Sequence, residues 1–451
     1  MSNDKNQILK KEIEIKFVSD LSREYQINQS VFHLPLTMNV NKLNELINKL
    51  LNLSPNKIFS FFIGDIKLLG SLNDFVNENN ITTEQQIEIY YMFEIPEPEK
   101  SNTIKEDEWI KKISILNEMN YNPSKHNEYI VGLFNGEVSF YNGNNNKKIY
   151  SLKNCNNVDE DALALLTDIK YFKRKESENK ILIRTLRNSL NTFEIYDIDS
   201  LKQNQTLLCS NEKINDEYFN CIDINPLNYN IFAMGGTMDN KGIIQIFNLP
   251  ENLSLNETKK TPNKKKRKIN STILNPTYTF NEVHYSQCNH ITFLDGEYLT
   301  TGGDDYNINI YNIITNNLFM TLNTFYKDIS SICKLSNKTF LIGYQDGTIK
   351  FYDINDSNLN KNKASLIFKD NEAYCGFISD ISLCNDKENH PNTFVTSNYD
   401  SNIKVWDIRG GKLPLYKVNT GETEKNFSVL FNGIDTIISG GDGSLINIYN
   451  Y

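Results

Sequence analysis

A mainly β chain is predicted, with a small β-grasp unit ahead of a seven-bladed β-propeller, and three observations carry that expectation. Seven segments close alike, each a short β-rich run ending in an aromatic residue followed by Asp or Asn. Residues up to about 94 lack this ending. They show instead the alternating spacing of strands, interrupted by one helical stretch.

The seven endings occupy 138–142, 193–197, 244–248, 308–312, 349–353, 403–407 and 446–450. Their aromatics are Tyr141, Tyr196, Phe247, Tyr311, Tyr352, Trp406 and Tyr449, spaced 41 to 64 residues apart. The shorter intervals fit the roughly 40–45 residues of a four-stranded WD-type blade, and the longer ones imply loop insertions. A second strand and a Gly/Asp/Asn turn precede most endings, as in 298–305, 340–347, 394–400 and 436–443. That arrangement makes a hairpin, because those residues accept the backbone angles of tight turns. These aromatics and turn acids therefore read as core and turn residues of blades. Only Val405-Trp406-Asp407 carries the full Trp-Asp pair. The chain stops at Tyr451, directly after the third strand of its last blade. The fourth strand is expected from upstream, within 98–110, with Trp109 at the junction, because an open edge leaves backbone groups unpaired.

In the first unit Ile13, Ile15 and Phe17 alternate with polar residues, as in a half-buried strand. Leu43, Leu46, Ile47 and Leu50 share one face of a helix. Strand alternation returns at Phe59, Phe61 and Ile63 and at Ile87, Ile89 and Tyr91, with a short helical turn at 72–76 between them. Hairpin, helix, strand, turn and final strand is the order of a ubiquitin-like β-grasp domain. No Gly-Gly follows, so the unit is expected to bind rather than be conjugated. The expected organisation is a flexible tail over 1–10, the ubiquitin-like domain over 11–94, an acidic linker and ring-closing segment over 95–107, and the propeller over 108–451. The stretch from Glu94 to Glu108, with Pro96 and Pro98, reads as stiff and solvated.

Composition narrows the function. The 451 residues are 39% hydrophobic and 23% charged, as in ordinary globular proteins. No run approaches the ~18 uncharged apolar residues of a membrane span, and the N-terminus lacks the apolar core of a secretory signal. Seven dispersed cysteines without a Cys-x-x-Cys pair fit a reducing compartment. His284 and His290 lack nearby co-ligands and read as structural. The Asn run 142–146 reads as turn material. With no phosphate loop, metal-ligand cluster or Ser/His/Asp motif, neither an enzyme nor a cofactor is expected. A triad dispersed in sequence would leave no such motif. A net charge of −9 gives no general attraction to nucleic acid. Against that background stands one basic cluster, Lys259, Lys260, Lys264, Lys265, Lys266, Arg267 and Lys268, in a loop insertion at about 250–276. It reads as a nuclear-import signal or RNA contact, or else as a solvated loop. Import is favoured over RNA because no aromatics interleave to stack bases.

Several pieces together resemble a known family. They are 43–51, 59–69, 71–72, 81–84, 87–91 and 107–110, then Trp406-Asp407-Ile408-Arg409, 414–416 and 439–442. Over nearly its whole length the chain resembles the Ytm family, WD-repeat ribosome-biogenesis factors of the pescadillo-containing complex. It departs from the family in its Asn-rich loops and in the weak repeat consensus of the first three blades. The resemblance implies a nuclear scaffold, in nucleolus and nucleoplasm, required for large-subunit rRNA maturation. Implied partners are pescadillo, an Erb/Bop WD-repeat protein, the pre-ribosomal particle and the AAA+ ATPase midasin, with no membrane. It further implies that Glu84 completes the shell of a metal ion held by midasin, the protein having no metal of its own. Taken alone, Glu84 reads either as a solvated turn glutamate or as a ligand, since a hard divalent ion with an incomplete oxygen shell accepts one more carboxylate. Two other readings are a Notchless-type assembly factor and a ubiquitin-pathway WD-repeat adaptor. Seven blades and the Trp-Asp-x-Arg…Pro-Leu-Tyr pieces weigh against the first, and the lack of a ligase-docking segment against the second.

Overall fold

The computed structural model describes residues 12–28, 31–64, 66–79, 86–117, 126–153, 164–174, 180–187, 191–199, 204–212, 217–250, 274–324, 328–356, 364, 366–368, 376–384, 392–408, 413–421, 425–433 and 435–451.

Alternation in the first unit produces β1 (Glu12–Val18), which buries Ile13, Ile15 and Phe17 and turns Glu12 and Glu14 to solvent. A 3-10 turn at Arg23–Tyr25, β2 (Phe32–Pro35), α1 (Val40–Leu50), β3 (Phe59–Ile63), β4 (Ile66–Lys67), α2 (Leu72–Glu78) and β5 (Ile87–Phe93) follow. They form one five-stranded sheet, ordered β2-β1-β5-β3-β4, with β1 and β5 parallel at its centre. The Asn39 side chain caps α1 by accepting from Lys42 N, and Ser71 with Asp74 forms a capping box on α2. Leu43 and Ile47 of α1 are buried against Phe59, Phe61, Ile89 and Tyr91, with Leu46 partly covered. Leu50, expected on the same face, is exposed as the last residue of the helix. Two helical asparagines do work that periodicity does not show. Asn44 and Asn48 use both ends of their carboxamides on the backbone of Phe59 and Lys57, seating the chain as it enters β3.

Next comes β6 (Glu99–Lys105). The remaining described strands group into meanders in which neighbours pair antiparallel. The first is β7 (Ile110–Asn117), β8 (Tyr129–Leu133), β9 (Val138–Tyr141) and β10 (Lys148–Leu152). The second is β11 (Leu165–Lys173), β12 (Lys180–Arg187), β13 (Asn191–Asp199) and β14 (Asn204–Glu212), joined to the first where β11 runs briefly parallel to β7. The third is β15 (Tyr218–Ile224), β16 (Ile231–Met238), β17 (Lys241–Asn248) and β18 (Tyr278–His284). The fourth is β19 (Cys288–Phe293), β20 (Tyr298–Gly303), β21 (Asn307–Asn312) and β22 (Asn317–Asn323). The fifth is β23 (Ile329–Lys334), β24 (Thr339–Tyr344), β25 (Ile349–Asp353) and β26 (Leu366–Phe368). The sixth is β27 (Ile378–Leu383), β28 (Thr393–Asn398), β29 (Asn402–Asp407) and β30 (Tyr416–Asn419). The last group, β31 (Asn426–Asn432), β32 (Thr436–Gly441) and β33 (Leu445–Asn450), takes β6 as its fourth strand.

This is a β-propeller. The first strands of successive groups pack side by side, β7 on β11, then β15, β19, β23, β27 and β31, and β31 returns to β7. Close approach is bought by small residues. A Cβ on Gly440 of β32 would meet Ile110 at 2.7 Å, and one on Gly343 of β24 would meet Ile378 at the same distance. The repeat aromatics Tyr141, Phe247, Tyr352, Trp406 and Tyr449 lie buried on third strands, where they fill the space between neighbouring sheets.

The segment 95–107, read from sequence as a solvated linker and ring-closing piece, is mostly strand. Its β6 pairs with β33 from Glu99 opposite Asn450 to Lys105 opposite Leu445, so only Glu94 to Pro98 joins the two units. Ile95 in that join is buried rather than solvated.

Candidate functional site

The charged residues at the propeller's centre are already committed to structure. Asp168 accepts from Ile222 N at 2.9 Å, Asp223 from Phe293 N at 2.7 Å and Asp380 from Ser428 Oγ at 2.7 Å, each reaching the first strand of the next group. Lys112 pairs with Asp380 at 2.8 Å and Lys170 with Asp223 at 2.9 Å. Burial pushes the Asp168 carboxyl up, against the opposing pull of Lys170 and Lys112. Burial, reinforced by Lys112, pushes His290 down to about 4, leaving it neutral near pH 7. His284 is buried between Asp305 and Thr301, at 2.9 Å from each. Both histidines thus act as structural residues. Among the described residues no three His, Cys, Asp or Glu side chains gather to hold a metal ion, and Cys221, Cys288, Cys333 and Cys384 are free thiols.

Neither sequence-predicted site falls on described residues. Glu84 belongs to 80–85, and Lys259, Lys260, Lys264, Lys265, Lys266, Arg267 and Lys268 belong to 251–273, both outside them, as is the tail over 1–10. The flanks of both stretches are fixed. Before 80–85, Asn79 caps α2 by donating to Phe75 O at 2.9 Å, and after it β5 lies between β1 and β3. The 251–273 stretch is flanked by buried Leu249 and Leu274, both in the core packed between the second and third groups.

Two surfaces emerge that sequence reading did not find. The first is a row of five aromatic rings at one end of the propeller. Trp109 meets Phe134 edge-on at 5.9 Å, Phe134 lies 5.5 Å from Phe427, Phe427 5.5 Å from Tyr399, and Tyr399 stacks on Phe377 at 4.4 Å. Lys111 lies over Phe134 and Lys425 over Tyr399, at cation–π distance. Trp109 is 49% exposed and Tyr399 36%, whereas the other tryptophan, Trp406, is buried. The only sequence signal is positional. Trp109 and Phe377 immediately precede a first strand, Phe427 is the second residue of one, and Phe134 and Tyr399 immediately follow a second strand, which brings all five to the same end.

The second surface is a contact between the two units. The outer face of the first sheet presents Phe62 and Met92, which are buried with Ile95 and flanked by Tyr90, Leu415 and Tyr451. At its edge the Tyr416 hydroxyl donates to Ile95 O at 2.7 Å and accepts from Lys67 Nζ at 3.2 Å. Lys67 also lies 3.9 Å from a Glu94 carboxylate oxygen and above the Tyr416 ring.

Comparison with known proteins adds the biological context. The model of the NLE (NUC135) domain matches residues 13–76, most of the first unit. A ribosome biogenesis protein WDR12 homolog from Nematostella vectensis is 21% identical over 97% of this chain and 99% of its own length. The homolog from Trichoplax adhaerens is 22% identical over 100% and 98%, and that from Anopheles gambiae 19% over 95% and 92%. The likeness therefore spans both units in the same order.

Proposed function

We infer that this chain is a WD-repeat ribosome-biogenesis factor that acts by holding partners rather than by chemistry. The observation that carries this reading is likeness to the WDR12 homologs from end to end, with the NLE domain at the head. Such a factor works on pre-ribosomes in the nucleus and nucleolus. The NLE match alone would also suit a Notchless-type factor; the match to WDR12 homologs through the propeller favours the first reading.

Within it, the propeller scaffolds a complex with pescadillo and an Erb/Bop WD-repeat protein for large-subunit rRNA maturation. We place the Erb/Bop contact on the Trp109–Phe377 row, because mutually packed aromatics with exposed members, here Trp109 and Tyr399, are the residues that dominate protein interfaces. The ubiquitin-like unit delivers Glu84 to the metal site of midasin, which then removes the protein from the particle. The flanks support this role: the capped α2 and the central strand β5 hold both ends of the stretch that carries Glu84. The basic cluster 259–268 serves nuclear import. Replacing Lys264, Lys265, Lys266, Arg267 and Lys268 by Ser and Gly should shift the protein toward the cytoplasm, and unchanged nuclear accumulation would count against it.

The test is depletion of the protein followed by complementation. Loss should stall large-subunit rRNA maturation, and the full chain should restore it. Pull-down with full-length protein should recover pescadillo and the Erb/Bop protein. Normal maturation in depleted cells would overturn the proposed function.

A further inference from the structure

We propose that β6 is a strap shared by the two units, so that lifting the first unit off the propeller frays β6 from β33 and bares the β33 edge. Besides the backbone ladder, β6 is held to β33 by two side-chain bonds, Ser101 Oγ donating to Ile448 O at 3.2 Å and Thr103 Oγ1 to Asn447 Oδ1 at 3.3 Å, and by little apolar burial. Six of its seven residues are exposed, and only Ile104 packs inward, against the cluster around Ile446 and Ile448. Its sequence, Glu-Lys-Ser-Asn-Thr-Ile-Lys, presents no apolar face. The ladder to β33 is interrupted by an irregularity at Ile448/Tyr449, toward the Glu99 end. A solitary edge strand of this composition depends on what fixes its ends.

The two ends are fixed differently. Beyond Lys105, Glu106 is buried, accepts from the Tyr141 hydroxyl and from Lys148 Nζ at 2.8 Å, and its N–H donates to Ser444 O at 2.8 Å. That end is anchored within the propeller. Before Glu99, the hold is the contact between the units: buried Ile95, its carbonyl bound to Tyr416, and the Phe62/Met92 face against Leu415 and Tyr451. Between Ile95 and Glu99 lie only Pro96, Glu97 and Pro98, and the two rings restrict the slack available. A displacement of the first unit therefore reaches β6 almost undiminished. Removal of β6 would leave the propeller circuit standing, because Ile113 N still donates to Ser428 Oγ at 3.0 Å and Asn127 and Asn432 still pair across the β31–β7 junction. What changes is the edge of β33, which among the described residues loses its one outer neighbour.

The experiment is hydrogen exchange on the full chain, comparing wild type, Leu415→Asp and Tyr416→Phe, with small-angle scattering to report whether the first unit has separated. Leu415 lies half-buried at the contact, and its N–H bonds to Val405 O, which the substitution leaves intact. In Leu415→Asp the radius of gyration should rise. Exchange in the β6–β33 ladder should quicken roughly tenfold at the Glu99 end and less at the Lys105 end, as expected for local fraying. The β1–β5 sheet should keep its protection, which shows that the first unit remains folded. Tyr416→Phe, losing one hydroxyl but no packing, should shift exchange the same way by a smaller factor. Separation with β6 protection unchanged would overturn the proposal. So would retention of the compact radius by Leu415→Asp, because the contact would then not be what holds the unit down.

Discussion

Trp109→Ala gives the sharpest test of the proposed Erb/Bop contact. The indole is 49% exposed and otherwise rests edge-on against Phe134, so its removal leaves no cavity in the core. A tryptophan carries about 150–250 Å² of buriable surface, so docking would withdraw about 100 Å² from water. At about 25 cal/mol per Å² this amounts to about 2.5 kcal/mol, or roughly 70-fold in Kd. The assay is titration calorimetry of the full chain with the purified Erb/Bop WD-repeat protein. Phe319→Ala is the matched control, because Phe319 is 50% exposed on β22, away from the aromatic row. Circular dichroism should be the same for both variants and wild type. A Trp109→Ala affinity within about threefold of wild type, or an equal loss from Phe319→Ala, would refute the placement.

The remaining predictions concern the first unit and the propeller core. Glu84→Ala and Glu84→Gln should abolish magnesium-dependent binding to midasin while Glu84→Asp retains a fraction, since ligand distances near ~2.1 Å tolerate little change; equal binding by wild type and Glu84→Ala, or binding that survives chelation, removes that role. Arg184 is wholly buried and donates to Glu194 at 2.5 and 2.8 Å and to Gly136 O at 2.6 Å. Glu194→Ala should therefore cost about 3–5 kcal/mol in urea unfolding, and Arg184→Met combined with Glu194→Leu markedly less, because the double change leaves no buried charge behind. Burial works against protonation of His284, but its bond to Asp305 and the carboxylates of Asp305 and Asp304 raise it, while Asp305, against the push of its own burial, is held low by His284. The His284 contribution should be complete below about pH 6.5 and fade as pH rises through the folded value. The Asp305 contribution should be complete above about pH 4 and fade as pH falls through its lowered value. His284→Phe should flatten the alkaline-side loss in a series of melting curves, and an unchanged pH profile would disprove the pair's role.

Much of the architecture was legible because it is written in short-range periodicity. Alternation at Ile13, Ile15 and Phe17, helical spacing at Leu43 and Ile47, and the repeated aromatic endings each arise from one element meeting one core. Such patterns survive in sequence because every copy must bury the same face. The charges at Glu84 and at 259–268 were equally visible as chemistry, though what they touch is not a property of the chain alone. Three features required the tertiary structure. A closing strand within 98–110 was expected from the open edge of the last blade, but β6 is polar on both faces, so its bounds and its register on β33 had no alternation to read. Asn44 and Asn48 look like polar interruptions of a helix until the backbone of Lys57 and Phe59 is brought against them. The aromatic row and the contact between units join residues up to several hundred positions apart, among them Phe134 with Phe427 and Lys67 with Tyr416. Those residues sit in turns and at strand ends, where no repeating burial constrains the spacing. Their meeting is set by how the ring closes, and closure is a property of all the blades at once.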